Sequence, residues 1–452
     1  MLGEQVGLQD RLFYEFDLED RVPNDHLLRR LDAVLDLTWL RAELSPFYSH
    51  TGRPSVDPEL MIRMLLVGYC HSIRSERRLC QEVELNLAYR WFCRLGLEDA
   101  VPDHSTFSVN RHGRFRDSDV LRSVFETVVR RCMEAGLVGG EGFAVDASVI
   151  EADASRFVRV EGPEIDWTDE QQALRPIREY LDALDGERSP INPRHKPKAL
   201  SPTDPSAAWT TRGRNKVMFG YSLNYLIDME NAVIVDVEAT PTRISREVEA
   251  TGTMIERTSR TFGLKPGHIA GDVAYGTGRM LGWLRDQRIE PHIPVWDKGR
   301  RDDGTLSRGD FSFDKDRGIY VCPEGKALRT TGTVHDGKTL LYRSSKRECD
   351  PCPLKSRCCP RTPSRKIPRD INEAARDHAR ALNGSEAYNR SARNRKKIER
   401  LFGEAKRNLA MTRLRLRGPS GARDEFLLTA TVQNLRRLIK HVARPPPRPV
   451  MA

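Results

Sequence analysis

The hydrophobic pattern of this chain changes period near Gly136, and that change limits the folds open to it. Before it, residues 23 to 135 read as helices. Asn24 and Asp25 can cap an apolar run through Leu27, Leu28, Leu31, Val34 and Leu35. Asp57-Pro58 opens a second helix, with Asp at the cap and Pro in the first turn. Glu76 to Phe92 and Leu121 to Ala135 continue the series, with a turn at Pro102 to Thr106 between them. After Gly136 the units shorten. Gly142 to Asp146, Val217 to Ile227, Ala232 to Ala239, His268 to Asp272 and Glu290 to Val295 read as strands, with helices at Arg246 to Phe262 and Gly278 to Gln287. This alternation predicts a mixed α/β sheet preceded by an all-helical domain. No period of 20 to 50 residues recurs, which excludes a solenoid.

The expected divisions follow from these shifts. Residues 1–136 form a helical N-terminal domain, and 141–297 the first part of an α/β core with an insertion at about 156–214. Residues 298–368 form a Gly- and Cys-bearing insertion, 371–442 the helical remainder of the core, and 443–452 a disordered Pro-rich tail. The longest apolar run, Met61 to Tyr69, is broken by Arg63 and falls short of the ~18 to 20 residues of a membrane span. The first twenty residues are acidic and lack the apolar core of a secretory signal, so a soluble, cytoplasmic protein is expected.

Charge is informative once located. The whole chain carries a formal +10. Arg361 to Arg448 holds 23 Lys plus Arg against 8 Asp plus Glu, a net +15, which leaves −5 elsewhere. A concentrated basic stretch points to an acidic partner, nucleic acid first.

Three carboxylates stand out inside this frame. Asp146 ends the first expected strand and Asp272 ends another, where functional groups of α/β sheets gather. Glu399 lies on a helix, Arg393 to Leu409, whose buried stripe is Ile398, Leu401, Phe402, Ala405 and Leu409. Arg395, Glu399 and Lys406 border that stripe. Each feature alone has a plainer reading: a turn cap for the aspartates, a solvated salt-bridge ladder for the helix.

Together they carry a resemblance. Asp146 in FAVDAS, Asp272 in GDVAYGT and Glu399 in RKKIERLFGEAK look like the three acids of bacterial insertion-sequence transposases of the DDE type, whose core is RNase H-like. Arg395 and Lys406 resemble the flanking bases of that family's Arg-Glu-Lys signature. The Tyr usual three residues before the Arg is Ala392 here, the nearest Tyr being Tyr388. The segments PSVDPELMIRMLLVGY, SERRLCQEVELNLAYRWFCRLGL and PDHSTF are similar to the family's N-terminal helical domain. SPTDPSAAW and QNLRRL resemble further family stretches.

The resemblance implies a DNA transposase that cuts element ends and transfers the 3′-OH to target DNA. It implies two Mg²⁺ (or Mn²⁺) ions per site, held by Asp146, Asp272 and Glu399, a donor set of carboxylates that suits those ions. Arg395 and Lys406 would contact DNA phosphates, with Arg393, Lys396 and Lys397 adding to the basic surface. The partners implied are double-stranded DNA, both terminal inverted repeats and target, and further copies of the chain in a dimer or larger assembly. The setting implied is the bacterial nucleoid. A catalytically inactive DNA-binding regulator and a metal-dependent nuclease without strand transfer remain open alternatives.

Nine cysteines divide into two sets. Cys70, Cys80, Cys93 and Cys132 sit in helical sequence as buried thiols. Cys322, Cys349, Cys352 and Cys358 have the spacing of a structural Zn²⁺ site, with Cys359 an alternative fourth ligand. Unligated thiols and redox chemistry are the competing readings of that cluster, and a subgroup of the transposases carries a similar Cys-bearing insertion before the Glu.

Overall fold

A computed structural model describes residues 16–48, 51, 55–161, 165–186, 198–212, 216–242, 244–297 and 303–443. The acidic N-terminus, the middle of the 156–214 insertion and the tail from 444 onward lie outside the described residues. The chain forms two compact units, one of residues 1–137, 150–221 and 403–452, the other of residues 138–149 and 222–402.

The second unit is built on a sheet. The sheet has six strands; Ala208–Arg212 pairs antiparallel with the start of Lys216–Asp228, and the other five lie in the order Ile234–Pro241, Lys216–Asp228, Gly142–Glu151, His268–Ala270, Glu290–His292. The first three of these five in sequence form an antiparallel meander, and the hairpin turn closes with Asp228 N–H donating to the Val233 carbonyl at 2.9 Å. The last two run parallel to the 142–151 strand, Gly142 facing His268 and His268 facing Glu290. Parallel neighbours require crossovers, and the helices Ile244–Phe262 and Gly278–Asp286 supply them. A meander of three followed by two parallel strands is the RNase H-like order. Phe143, Val145, Leu226, Val235, Ile269, Leu281, Leu284 and Ile293 fill the core between sheet and helices.

Several local boundaries differ from the sequence expectation, each for a physical reason. The first strand runs on to Glu151, so Asp146 sits mid-strand and not at its end. Its first half is apolar and fully buried, while residues 146 to 149 are only partly covered; the polar residues mark a change of environment, not of backbone. The strand at 268 stops at Ala270, because Asp272 accepts the Ala274 N–H at 2.8 Å and caps a 3₁₀ turn, Val273–Tyr275. The single helix expected over 76–92 is two, Glu76–Leu85 and Leu87–Phe92. Asn86 divides them by accepting the N–H groups of Ala88 and Tyr89. The cap of the helix Leu27–Asp32 is His26, not Asn24 or Asp25.

Within the same unit, residues 303–370 carry the Cys-bearing insertion. It has two three-stranded sheets and its own core of Phe311, Tyr320, Leu328, Tyr342, Cys358, Cys359 and Ile367. Arg369 lies 3.7 Å from the centre of the Phe313 ring and donates to the Tyr320 hydroxyl.

The first unit is mainly helical. The helix Gly418–Val442 is buried along most of its length and packs against Val120–Glu134 and Pro58–Cys70. SPTDPSAAW has a structural role here. Ser201 folds a turn through the amides of Thr203 and Asp204, and Asp204 accepts the Tyr221 hydroxyl at 2.6 Å and the Gly418 N–H at 3.2 Å. Burial pushes the Asp204 carboxyl up to about 6, so the folded state favours its protonated form. Such a group stabilises the fold most at low pH, and that contribution is lost as pH rises from about 4 through 6. Asp204→Asn keeps an acceptor for Tyr221 without the charge. Its unfolding free energy from urea titration is expected to match wild type near pH 4 and exceed it by roughly 2–3 kcal/mol at pH 7. Parallel pH profiles for the two proteins would contradict this.

Candidate active site

All three acids singled out in the sequence lie in the second unit, on three different elements: Asp146 on the 142–151 strand, Asp272 at the turn after the 268–270 strand, and Glu399 on the helix Glu386–Asn408. That helix starts seven residues earlier than expected. Ile398 and Leu401 are fully buried, and Phe402 stacks on Tyr225 of the 216–228 strand with ring centres 5.0 Å apart. Lys397 pins the helix to the hairpin turn, donating to the carbonyls of Met229 at 2.6 Å and Glu230 at 3.0 Å. With its face fixed by these contacts, the helix turns Arg395 toward the sheet. Arg395 binds Asp146 at 2.9 Å and lies 3.9 Å from Glu399.

Asp146 reports the crowding of charge. Its side chain is only 19% exposed. Burial pushes its carboxyl up to about 6; nearby Asp272 and Glu399 add to the rise, while the Ala147 N–H and Arg395 oppose it. The mutual repulsion places the three acids in one electrostatic neighbourhood. Glu399 is 60% exposed and stands at the open side.

Two further residues belong to this neighbourhood. Tyr275 of the AYGT turn is buried, its hydroxyl has no hydrogen-bond partner among the described residues, and burial together with Asp146, Glu247 and Asp272 drives its ionisation far out of range. Glu247, in the first turn of the 244–262 helix, accepts the Ser222 hydroxyl at 2.6 Å. Burial raises its carboxyl, and Asp272 adds to the effect. The sequence offered a faint signal for Tyr275, which lies inside the quoted GDVAYGT motif. It offered none for Glu247, since an acid in a first helical turn is common. The turn itself tolerates no side chain at Gly276, where a Cβ would collide with the Pro294 carbonyl oxygen.

The basic residues separate by role. Arg393, Lys396 and Arg400 are exposed on the Glu399 helix, without an ion-pair partner among the described residues. Lys397 serves as a brace and Arg395 is engaged by the acids. Lys406, seven residues after Glu399, is half-buried and belongs to the first unit. Tyr388 does not replace the Tyr absent at Ala392; it packs against the ring of His292 at 5.9 Å.

Four carboxylates and one guanidinium give this neighbourhood a net negative charge suited to hard divalent cations. Among the described residues, however, no three His, Cys, Asp or Glu side chains stand close enough together to hold a metal ion. The donor chemistry fits; the acids are spread, with Arg395 on Asp146.

In the insertion, Cys322 opens a tight turn in which the Lys326 N–H points at its sulfur at 3.3 Å. Cys349 neighbours Cys358 and Cys359, and burial pushes the Cys358 thiol up to about 11.

Comparison with known families decides the class. The profile of a transposase domain (DUF772) matches residues 16–113, and that of a transposase DDE domain matches residues 321–439. The chain belongs to the DDE transposases. The first match covers the N-terminal helices and the second runs from the Cys-bearing insertion through the Glu399 helix into the 418–442 helix, so in sequence this transposase matches before and after the strands of its sheet. Among solved structures it is similar to a piggyBac transposase in a synaptic complex with hairpin DNA, determined by cryo-EM. The identity is 11% over 92% of this chain and 80% of the other, with a TM-score of 0.32. At that score the likeness assigns neither fold nor function. As a DDE transposase the protein is a DNA-binding, metal-dependent enzyme of transposition. No helix among its described residues is long and apolar enough to cross a membrane.

Proposed function

We propose that this transposase cuts DNA at the ends of an insertion sequence and joins the freed 3′-OH to target DNA, with Asp146, Asp272 and Glu399 as its catalytic carboxylates. The observation that carries the reading is Arg395 of the Glu399 helix, which reaches the partly buried Asp146 at 2.9 Å and lies 3.9 Å from Glu399. In the first step water attacks phosphorus and the P–O3′ bond breaks, releasing a 3′-OH. In the second that 3′-OH attacks a target phosphodiester, a new P–O bond forms, and the target's own 3′ oxygen leaves. Asp146, Asp272 and Glu399 would hold two Mg²⁺ or Mn²⁺ ions, which when bound polarise the phosphate and stabilise the attacking and leaving oxygens.

The chain's own residues do the rest. Arg395 holds Asp146 in place before DNA arrives, and its planar fork matches a phosphate as well as a carboxylate. Arg393 and Lys396 present free cations beside Glu399, and Lys406 extends the same helix. Lys397 fixes the helix against the hairpin, so it acts on DNA through position. The N-terminal helices, residues 1–136, would serve end recognition and assembly of a homodimer or larger complex on paired ends. Residues 141–297 and 371–442 would form the catalytic core around the 298–368 insertion, at the bacterial nucleoid.

Purified protein is expected to nick and join a duplex carrying its element's terminal repeats to a supercoiled plasmid when Mg²⁺ is supplied. Cleavage without joined product would instead assign a nuclease; binding without cleavage would assign a regulator.

For the insertion we propose one structural Zn²⁺ per chain, on Cys322, Cys349, Cys352 and either Cys358 or Cys359. The amide-to-sulfur turn at Cys322 supports it, since such a bond favours a thiolate ligand. Metal analysis of protein purified without chelator is expected to find one equivalent of zinc, lost in Cys349→Ser together with thermal stability. Metal-free protein of unchanged stability would assign plain thiols.

A further inference from the structure

The first unit contains a basic cavity that the catalytic reading leaves unused. It measures about 370 Å³ and lies between the segment 72–78 and the loop 410–415. Arg74, Ser75, Arg78, Thr412, Arg413 and Arg415 line it; only Ile73 and Ala410 are apolar. Small-molecule pockets of ~300–1,000 Å³ are mostly apolar with a few polar anchors. This one inverts that composition.

The cavity is built, not incidental. Arg74 forms its floor, paired with the buried Glu425 and donating to the Ala410 carbonyl at 3.3 Å. Ser72 ties the two segments together by donating to the Asn408 carbonyl at 2.8 Å. Glu425 also accepts the Arg415 N–H at 2.6 Å, which fixes the backbone from which the Arg415 side chain leaves. The far edge is held by the 150–151 strand end, where Leu414 N–H donates to the Glu151 carbonyl at 2.7 Å.

The charges do not cancel. Glu425 answers Arg74, Asp153 answers Arg413 at 3.1 Å, and Glu82 answers Arg78 at 3.2 Å. Arg415 is exposed, and no ion-pair partner is found for it among the described residues. Arg78 and Arg413 are half-exposed or more, so their acids are solvated and weakly competing. Ser75 caps the helix Glu76–Leu85, which adds the positive end of a helix dipole to the same wall. Arginine forks beside serine and threonine hydroxyls are the groups that grip nucleic-acid phosphates, and they do so without reading sequence.

We infer that this cavity is a second DNA contact, seating one or two backbone phosphates of duplex DNA with Arg415 and Arg78 as the principal ligands. The inference rests on the DNA-binding reading of the chain, and it adds a grip on the segment 72–78 and on the loop that follows the Glu399 helix.

The test uses the full chain and a 30-bp duplex of arbitrary sequence, with affinity measured by fluorescence anisotropy across a salt series. Each phosphate contact contributes about 0.9 to the slope of log K against log salt. Arg415→Gln and Arg78→Gln are each expected to lower the slope by about that amount, equally for duplexes of unrelated sequence. Both side chains are exposed, so the thermal midpoints without DNA are expected to stay at the wild-type value. A paired Arg393→Gln/Lys396→Gln variant serves as the comparison for the Glu399 helix. If that pair weakens binding while Arg415→Gln and Arg78→Gln leave slope and affinity unchanged, the cavity is not a DNA site and the helix reading stands. If wild type itself shows no salt-dependent duplex binding, the DNA reading and the cavity fall together. Inorganic phosphate is the last arm: a phosphate-induced rise in midpoint that Arg415→Gln abolishes, with an unaltered DNA slope, would assign a free-phosphate site and overturn the backbone contact.

Discussion

Asp146→Asn is expected to abolish DNA cleavage, lowering the rate by on the order of 10³-fold or more, while duplex binding persists. The substitution keeps the shape of the side chain and an acceptor for Arg395, which holds Asp146 at 2.9 Å. What it removes is a negative charge in a place where Asp272 and Glu399 already oppose that charge. The fold therefore loses little, and the thermal midpoint is expected not to fall. Affinity for duplex is expected to hold or rise, because one fewer carboxylate faces the phosphates. Glu399→Gln should show the same split, with a smaller disturbance of stability still, since Glu399 is largely solvent-facing. A variant at Asp146 that still cuts element ends at the wild-type rate would remove Asp146 from the site. Loss of cleavage together with loss of fold would leave Glu399→Gln as the deciding variant, since its side chain carries no buried contact.

Much of this arrangement was legible in the residues, and what escaped did so for identifiable reasons. The strand–helix alternation after Gly136 was readable because its apolar runs are short and bounded by Gly, Asp and Asn. The order of the strands was not, because pairing is decided between segments and not within them. Asp146 was found by its motif but misplaced at a strand end, since the polarity that follows it marks partial burial and not a turn. Arg395 and Lys397 looked alike as cations on a basic helix, yet one reaches a carboxylate and the other two carbonyls. Their roles are set by which neighbours the helix docks against. Glu247 was invisible for the same reason: only packing of the 244–262 helix brings it toward Asp272 and Ser222. The net +15 of the C-terminal stretch proved a mixture, with Arg376 and Arg380 spent on Glu373 and Asp297, and Arg413 and Arg417 on Asp153. Exposed cations such as Arg393, Lys396 and Arg415 are the remainder that a DNA strand can meet.

Glu425→Ala is expected to be the most destabilising single change in the first unit, at about 3–5 kcal/mol. Glu425 is 1% exposed and forms a buried ion pair with Arg74. It also accepts the N–H groups of Arg415 and Leu416, each at 2.6 Å. Truncation leaves a guanidinium without its counter-charge in a place where burial already weakens Arg74's hold on its proton, and leaves two amides without acceptors. The pair itself is a different quantity, since the desolvation of both charges offsets most of their attraction. Arg74→Met/Glu425→Gln, which removes both charges and keeps an amide oxygen for Arg415 and Leu416, is therefore expected to cost less than Glu425→Ala alone. Unfolding free energies of Arg74→Met, Glu425→Gln and the double, from urea titration, give the coupling. A cost below about 1 kcal/mol for Glu425→Ala would mean that water reaches Arg74 and that the pair is not buried in solution. Because Glu425 also anchors the backbone of Arg415, the double variant carries a second expectation. Its fold should survive while its duplex salt slope stays near wild type, since the Arg415 amide keeps its acceptor. A slope that falls with Arg74→Met would instead move the phosphate ligand from the rim of the cavity to its floor.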